Sequence, residues 1–361
     1  MNQVRNEDKR CVFHRFFFTI LPFFLPIMLP LQGMAGEYHL PYRMVESYNP
    51  NPVAGRLYLQ PLDSHAARAI PGVKLEIALE EAADYNIYFV EDFNDPRLTV
   101  NSRILSFKAS YGGRPGRFNM ETGAVVRSHQ DERRTFLGDF IAHYHEFMGF
   151  GNIPEKDQYY GGIGDHGTRV IGDSGDIFLT TAQLYVKVQL FEDLGTSGPV
   201  PDVAVKASCR MPMSSHAFDT PGGALSLGLS KQVSRRFTCY GAGDIGYQDI
   251  DRQDFNGENL RVARWIYDVL AGLTWDMGQK DAWYASTAFR VSSQRVSYKR
   301  NPASADNGYC IHVGVVYRTR LAPGKIMELF LNCNEDLPGL GHGLEPDFRI
   351  QVGLALHIDD V

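Results

Sequence analysis

Apolar side chains occupy every second position from Phe348 to Ile358 (Phe348, Ile350, Val352, Leu354, Leu356, Ile358), with Arg349, Gln351, Gly353, Ala355 and His357 between them. Successive side chains of an extended strand point to opposite faces, so this stretch reads as a strand with one oily and one wet face. The same dyad pattern returns through most of the chain, bounded each time by Gly, Pro, Asn or Asp. It predicts strands at Val73–Ala83, Leu98–Tyr111, Arg117–Arg127, Asp176–Leu190, Val203–Met211, Ala224–Ser230, Phe237–Tyr247, Trp265–Asp276, Trp283–Val291, Tyr309–Arg318, Ile326–Cys333 and Phe348–Ile358. Segments of about ten residues with this pattern suit a membrane-spanning barrel, where side chains alternate between lipid and lumen and a closed sheet satisfies every backbone group. The expected fold is all-β: an antiparallel transmembrane β-barrel of about twelve strands, whose even number lets both ends of the wall lie on one side of the membrane.

The wet faces carry charges of both signs. Lys74, Glu76, Glu80, Lys108, Glu121, Arg127, Lys187, Lys206, Arg210, Asp244, Asp268, Asp276, Arg290, Arg318, Glu328 and Arg349 all take the lumen-facing register. Such a mixture is costly in a dry core and ordinary in a wet or ion-paired lumen. Aromatic residues gather at strand ends (Tyr88, Phe89, Tyr111, Phe118, Tyr247, Trp265, Trp275, Trp283, Tyr309, Tyr317), where amphipathic rings settle at headgroup level. A soluble β-sandwich shares the alternation, but it would turn its charges outward and needs no aromatic girdle.

Between the third and fourth predicted strands lies a long insertion, 128–174, in which Phe136, Phe140, Tyr144 and Phe147 recur at helical spacing. Thr135–Met148 therefore reads as a short amphipathic helix, and the insertion as a plug or cap of the barrel. The segment 36–72, rich in Pro, Asn and Tyr and including Asn49-Pro50-Asn51-Pro52, reads as a periplasmic leader. Ahead of it, Arg5, Lys9, Arg10 and Arg15 precede a charge-free run from Phe16 to Leu31, with Gly33 and Ala35 spaced for signal peptidase. This is the layout of a signal peptide over 1–35. Pro22, Pro26 and Pro30 oppose its alternative, a retained helical anchor.

The chain has 361 residues and a formal charge of −6, with 36 Lys and Arg scattered against 42 Asp and Glu. No basic stripe marks a nucleic-acid partner. After the leading apolar run no segment is oily enough for a transmembrane helix, so any crossing of a membrane is made by strands. Beyond Cys11 the cysteines are Cys209, Cys239, Cys310 and Cys333, whose spacings match no metal or redox motif. Disulfides among them stay open in an oxidising compartment, although three fall on oily strand faces where cysteine serves as a small hydrophobe.

The order of several short motifs resembles the DUF3187 family, proteobacterial proteins of unknown function. The motifs are Leu137-Gly138-Asp139-Phe140-Ile141, then His143 to Phe147, then Ser174-Gly175-Asp176-Ile177, flanked by Asn49-Pro50-Asn51-Pro52, Lys206 to Pro212, Asn334-Glu335-Asp336 and Pro346-Asp347-Phe348. The resemblance implies a barrel in the Gram-negative outer membrane and implies no activity. Two departures stand out: the chain ends Asp359-Asp360-Val361 instead of in an aromatic residue, and Met211-Pro212-Met213 stands where a short Pro- and Gly-containing turn is expected.

Candidate chemistry is sparse. Asp139, His143 and Glu146 share one face of the expected helix, where two carboxylates and an imidazole could move a proton or hold a metal. An ion pair on a solvated face is the preferred account of them. Ser214, His216 and Asp219 are crowded in a probable turn without a nucleophile-elbow motif, and Gly161-Gly162-Ile163-Gly164 lacks the lysine of a phosphate cradle. His166, His216, His312, His342 and His357 stand alone in sequence. No metal or cofactor is expected. The partners expected are outer-membrane lipid, the outer-membrane assembly machinery and a small solute of unknown identity. The leading function is a narrow channel or binding site for passive passage of that solute. A lipid- or envelope-modifying enzyme and a closed structural scaffold are the alternatives.

Overall fold

The computed structural model describes residues 67–84, 100–114, 118–131, 143, 177–192, 200–213, 222–248, 252–255, 258–262, 264–277, 283–298, 305–336 and 348–359. Among the described residues there are fourteen strands: β1 (Gly72–Asp84), β2 (Val100–Gly113), β3 (Asn119–Asp131), β4 (Ile177–Phe191), β5 (Asp202–Pro212), β6 (Gly222–Gln232), β7 (Phe237–Gln248), β8 (Arg252–Phe255), β9 (Glu258–Val262), β10 (Trp265–Asp276), β11 (Trp283–Tyr298), β12 (Ala305–Ala322), β13 (Lys325–Asp336) and β14 (Phe348–Ile358). Twelve of them close on themselves. The order β10-β7-β6-β5-β4-β3-β2-β1-β14-β13-β12-β11 returns to β10 through Tyr267↔Ser293 to Asp276↔Tyr284, and every neighbouring pair is antiparallel. Closure removes the free edges that an open sheet of this length would present.

The other two strands make a hairpin on the wall. β8 and β9 pair from Arg252↔Arg261 to Phe255↔Glu258, and β9 continues onto the far end of β11 through Val262↔Val296 and Leu260↔Tyr298. The dyad pattern predicts no strand between Tyr247 and Trp265, ends the β11 strand at Val291 and keeps the β12 strand within Tyr309–Arg318. The strands run further because ladder hydrogen bonds do not need lipid. Apolar alternation reports only the stretch of strand that faces oil, and it stops where both faces are wet. A signal was available: Asn256-Gly257 between the two strands is the strongest short hairpin dipeptide.

Outward rows are apolar, and exposed on most walls, as with Leu75, Ile77 and Leu79 on β1, Leu225, Leu227 and Leu229 on β6, and Val352 and Leu354 on β14, while on β12 Ile311 and Val313 are half-buried and Val315 is buried. On the loop side of β1 and β2 the oily row stops at Glu81 and Arg103, register partners joined by an ion pair of 3.1 Å. Aromatic pairs mark both ends of β10. Trp265 meets Tyr247 at 4.9 Å between ring centroids at one end, and Trp275 stacks on Phe237 at 6.2 Å at the other, with Trp283 on Tyr317 at 4.8 Å nearby. Ten residues separate Trp265 from Trp275, a rise of roughly 25 Å once strand tilt is included, which matches the apolar band of a barrel in lipid. Phe348 keeps the outward register yet is buried at the loop end, a correction to its expected lipid contact.

Connections differ between the two ends. The β1 start and β14 end share one rim with the links 114–118, 192–201, 233–236, 277–282 and 323–324. The opposite rim carries 85–99, 132–176, 213–221, 249–264, 299–304 and 337–347. The tightest link is Pro323-Gly324, where Gly324 has φ 68° and Ala322 pairs with Lys325. Of the expected 128–174 insertion, residues 128–131 belong to β3. His143 is helical and exposed, and the rest of the expected helix lies outside the described residues, as does the 1–35 signal segment. The leader is corrected at its end: residues 67–71 run inside the barrel, as described below.

Candidate functional site

Inward positions of the twelve wall strands form the candidate site. Fifteen of the sixteen charged residues expected there are buried: Lys74, Glu76, Glu80, Lys108, Glu121, Arg127, Lys187, Lys206, Asp244, Asp268, Asp276, Arg290, Arg318, Glu328 and Arg349. Arg210, near the loop rim, is half-buried. Arg349 and Glu80 are each only 1 % exposed, so neither side chain is open to water.

Cross-strand register brings opposite charges together. Arg349 on β14 donates to Glu80 Oε2 on β1 at 2.8 Å, Gln351 donates to the same oxygen at 3.2 Å, and Asn332 on β13 donates to Gln351 Oε1 at 2.8 Å. One turn-ward step along the same walls, Arg318 on β12 reaches Glu328 Oε1 on β13 through Nη2 at 2.6 Å and Nε at 2.9 Å. Its guanidinium lies 4.8 Å from the centre of the Tyr284 ring. The second oxygen of Glu328 meets His357 Nε2 at 3.0 Å. Arg290 on β11 is paired with Asp268 on β10. Toward the turn rim Lys187 meets Glu121 at 2.6 Å, Tyr185 donates to Glu121 Oε1 at 2.8 Å, and Lys74 meets Glu76 at 3.1 Å.

Three inward aromatic rings each lie across a glycine directly opposite in register: Tyr185 over Gly123, Tyr240 over Gly272 and Phe330 over Gly353. A Cβ at Gly353 would stand 2.2 Å from the Phe330 ring, and one at Gly272 would stand 2.4 Å from Tyr240. The glycines let the rings lie flat on the wall instead of standing into the lumen. Phe330 joins Ala78, Tyr284 and Val316 in an apolar patch within the otherwise polar lining. The Tyr240 hydroxyl is held by Ser286 Oγ at 2.8 Å and the Thr287 carbonyl at 3.1 Å.

Two histidines that stand alone in sequence acquire partners. His312 Nε2 lies 3.0 Å from Cys310 Sγ, and His357 joins the Arg318–Glu328 pair. Strand neighbours two residues apart or one strand over share a face, which the spacing could have shown for Cys310 and His312. All four cysteines in the wall are free, with Cys209 and Cys239 exposed on the outer face. Among the described residues no cluster of three or more His, Cys, Asp or Glu side chains forms a metal site. Of the helical candidates only His143 is described, while Asp139, Glu146, Ser214, His216 and Asp219 lie outside the described residues.

The segment 67–71 was missed by sequence reading. Before entering β1 at Gly72, whose φ is 80°, it crosses the inner face of the turn-side rim. The Ile70 amide donates to Glu121 Oε2 at 3.2 Å, the Ala69 amide to Gln189 Oε1 at 3.1 Å, and Lys187 donates to the Arg68 carbonyl at 3.0 Å. Arg68 itself reaches Asp202 at 3.7 Å and Glu192 at 3.5 Å.

No protein-family model matches this chain, and no curated protein matches it in sequence. Solved structures do. The fold is similar to that of the COG4313 outer membrane channel from Pseudomonas putida F1, at 8% identity and a TM-score of 0.54, over 81% of this chain and 98% of that one. The NanC porin aligns at 10% identity and a TM-score of 0.41, over 79% of this chain and 100% of its own. The transport unit of the autotransporter AIDA-I from Escherichia coli aligns at 8% identity and 0.43, over 87% and 100%. The first of these likenesses establishes a fold shared with an outer-membrane channel.

Proposed function

We propose that this chain is an outer-membrane channel for a small solute, held to a narrow bore by its own lining. The observation that carries the reading is the pairing of an oily exterior on most walls with a charged interior in one closed twelve-strand barrel. Lipid accounts for the first face, and only a polar pathway or an ion-paired filling accounts for the second. The fold shared with the COG4313 channel supports the same reading. Twelve strands enclose a lumen far smaller than that of a sixteen-stranded porin, and paired side chains narrow it further. On this reading the leading apolar segment is a signal peptide, the short links face the periplasm, and the barrel is inserted by the outer-membrane assembly machinery. Membership of DUF3187 fits, as motif order alone suggests.

Purified protein in planar bilayers tests the proposal. Small, well-defined conductance steps are expected, well below those of a sixteen-stranded porin measured alongside. Complete silence across a range of voltages and salts would remove it. A closed scaffold is the second reading. It is favoured by the ion pairs that join β10 to β11, β12 to β13 and β14 to β1, which silence in bilayers would leave as the purpose of the lumen.

A further inference from the structure

Residues 67–71 are more than a lead-in to β1. From Gly72 they pass over β2, where a Cβ on Gly112 would stand 1.7 Å from the Ile70 carbonyl oxygen. They go on over Glu121 on β3 and Gln189 and Lys187 on β4, and finish at Asp202 on β5. Adjacent strands lie about 4.8 Å apart and five residues of extended chain reach roughly 17 Å, so the backbone crosses three inter-strand steps, from β1 to β4, about a quarter of the rim, and the Arg68 side chain supplies the last reach to β5. The inward side chains are arranged for this occupant. Gln189 accepts from Ala69 with its oxygen, while its amide nitrogen donates to Asp202 at 3.0 Å and to the Phe191 carbonyl at 3.2 Å. Asn119 donates to the same Gln189 oxygen at 3.4 Å. Glu121 takes Lys187 and Tyr185 and still accepts the Ile70 amide. Ala67 and Ala69 are buried against the wall, and larger side chains there would not fit so closely.

We infer that the turn-side mouth of the lumen is a binding site for extended peptide backbone, and that the chain's own residues 67–71 occupy it as a strap that closes part of the mouth. The strap is held by backbone amides and a carbonyl, not by an oily core, so it can leave without unfolding a strand. Both strap ends bear on this. Gly72 supplies the left-handed bend that admits the segment, and the Arg68 side chain, with its two carboxylate neighbours, is the outermost anchor. This inference rests on the channel reading only for its consequence, a gated mouth; the strap's presence is testable without conduction.

The test uses full-length chain in liposomes, with Cys209, Cys239, Cys310 and Cys333 replaced by Ala and Ala204→Cys introduced on the inner face of β5, the buried register partner of Gln189 and outside the hydrogen bonds that hold the strap. A second form adds replacement of 67–71 by Gly and Ser in equal number, and both are checked for the compact, heat-modifiable band of a folded barrel. Labelling by a charged maleimide is expected to rise at least tenfold when the strap is replaced, and conductance of the otherwise native chain is expected to rise severalfold with the same replacement. Equal labelling of the two forms overturns the strap. Increased labelling with both chains silent in bilayers upholds the strap and overturns the channel. As a converse arm, Ala69→Cys is combined with Gln189→Cys, the residue whose side-chain oxygen accepts the Ala69 amide in the native chain, and oxidation of the pair is expected to lower conductance and reduction to restore it. Conductance unchanged by oxidation, with the cross-link formed, counts against gating by this segment.

Discussion

β6 and β14 face each other across the barrel, six steps apart in either direction around the ring, and their inner surfaces are built on opposite plans. The β6–β7 wall presents Ala224, Ser226, Gly228, Ala242 and Gly246 among a few larger residues. The wall of β12 to β14 with β1 presents Arg318, Glu328, Phe330, Asn332, Arg349, Gln351 and Glu80, most of them locked in the ion pairs and amide bonds described above. Their outer faces do not differ: Leu225, Leu227 and Leu229 match Leu79, Val352 and Leu354. Lipid imposes one rule on the outside all around, whereas the inside is free to place bulk on one side and space on the other. Small residues on one wall and large, paired ones on the other line the interior unevenly.

The comparison is broken most sharply at the Arg349–Glu80 pair. Arg349→Ala leaves a carboxylate buried on β1 with its strongest partner gone, and should destabilise the barrel by about 3–5 kcal/mol in urea unfolding from lipid vesicles. Replacing both, as Arg349→Met with Glu80→Leu, should recover most of that loss, because the cost lies in the stranded charge. A double variant as unstable as the single one would mean that the pair contributes as a network and not as a pair.

Next in size is a charge on the outside. Leu227→Arg on the light wall and Leu79→Arg on the heavy wall both sit midway along their strands and should each cost about 2–4 kcal/mol, measured in the same way. The equality matters more than the size. If only the heavy wall responds, the outer faces are not alike in their lipid contact and the asymmetry is not confined to the lumen.

How much of this was legible in sequence follows from what each part obeys. The dyad rows from Val73 to Leu79 and Ile350 to Ile358 repeat a rule that lipid enforces residue by residue, so strand, face and inward charges could be read directly. Which charge meets which could not: Glu80 and Arg349 are joined only because closure brings β1 beside β14, and that register depends on the stagger of the whole ring. The strap at 67–71 has no periodicity, since its backbone is held by side chains from β3 to β5 instead of by a ladder. The β8–β9 hairpin carries a turn signal in Asn256-Gly257 but no oily face.

A smaller effect probes the rings that lie on glycine. Gly353→Ala puts a methyl group 2.2 Å from Phe330 on the heavy wall, and the ring must lift toward the lumen. A loss of about 1–3 kcal/mol is expected, together with a lower conductance than wild type. Gly243→Ala on β7, where nothing lies within 4 Å, should change neither. A Gly353→Ala barrel of native stability and conductance would show that the ring is not pinned to the wall.

The smallest expected effect tests the light wall itself. Ser226 is inward and buried on β6 between Lys206 and Asp244 in register, and removal of its one hydroxyl in Ser226→Ala should shift stability by no more than about 1 kcal/mol. Ser226→Phe is the informative partner. On a wall that borders open cross-section a ring can project inward at little cost to folding, so stability should stay near native while conductance falls. If Ser226→Phe unfolds the barrel instead, the light wall is already packed against the heavy one, and the lumen is filled from side to side.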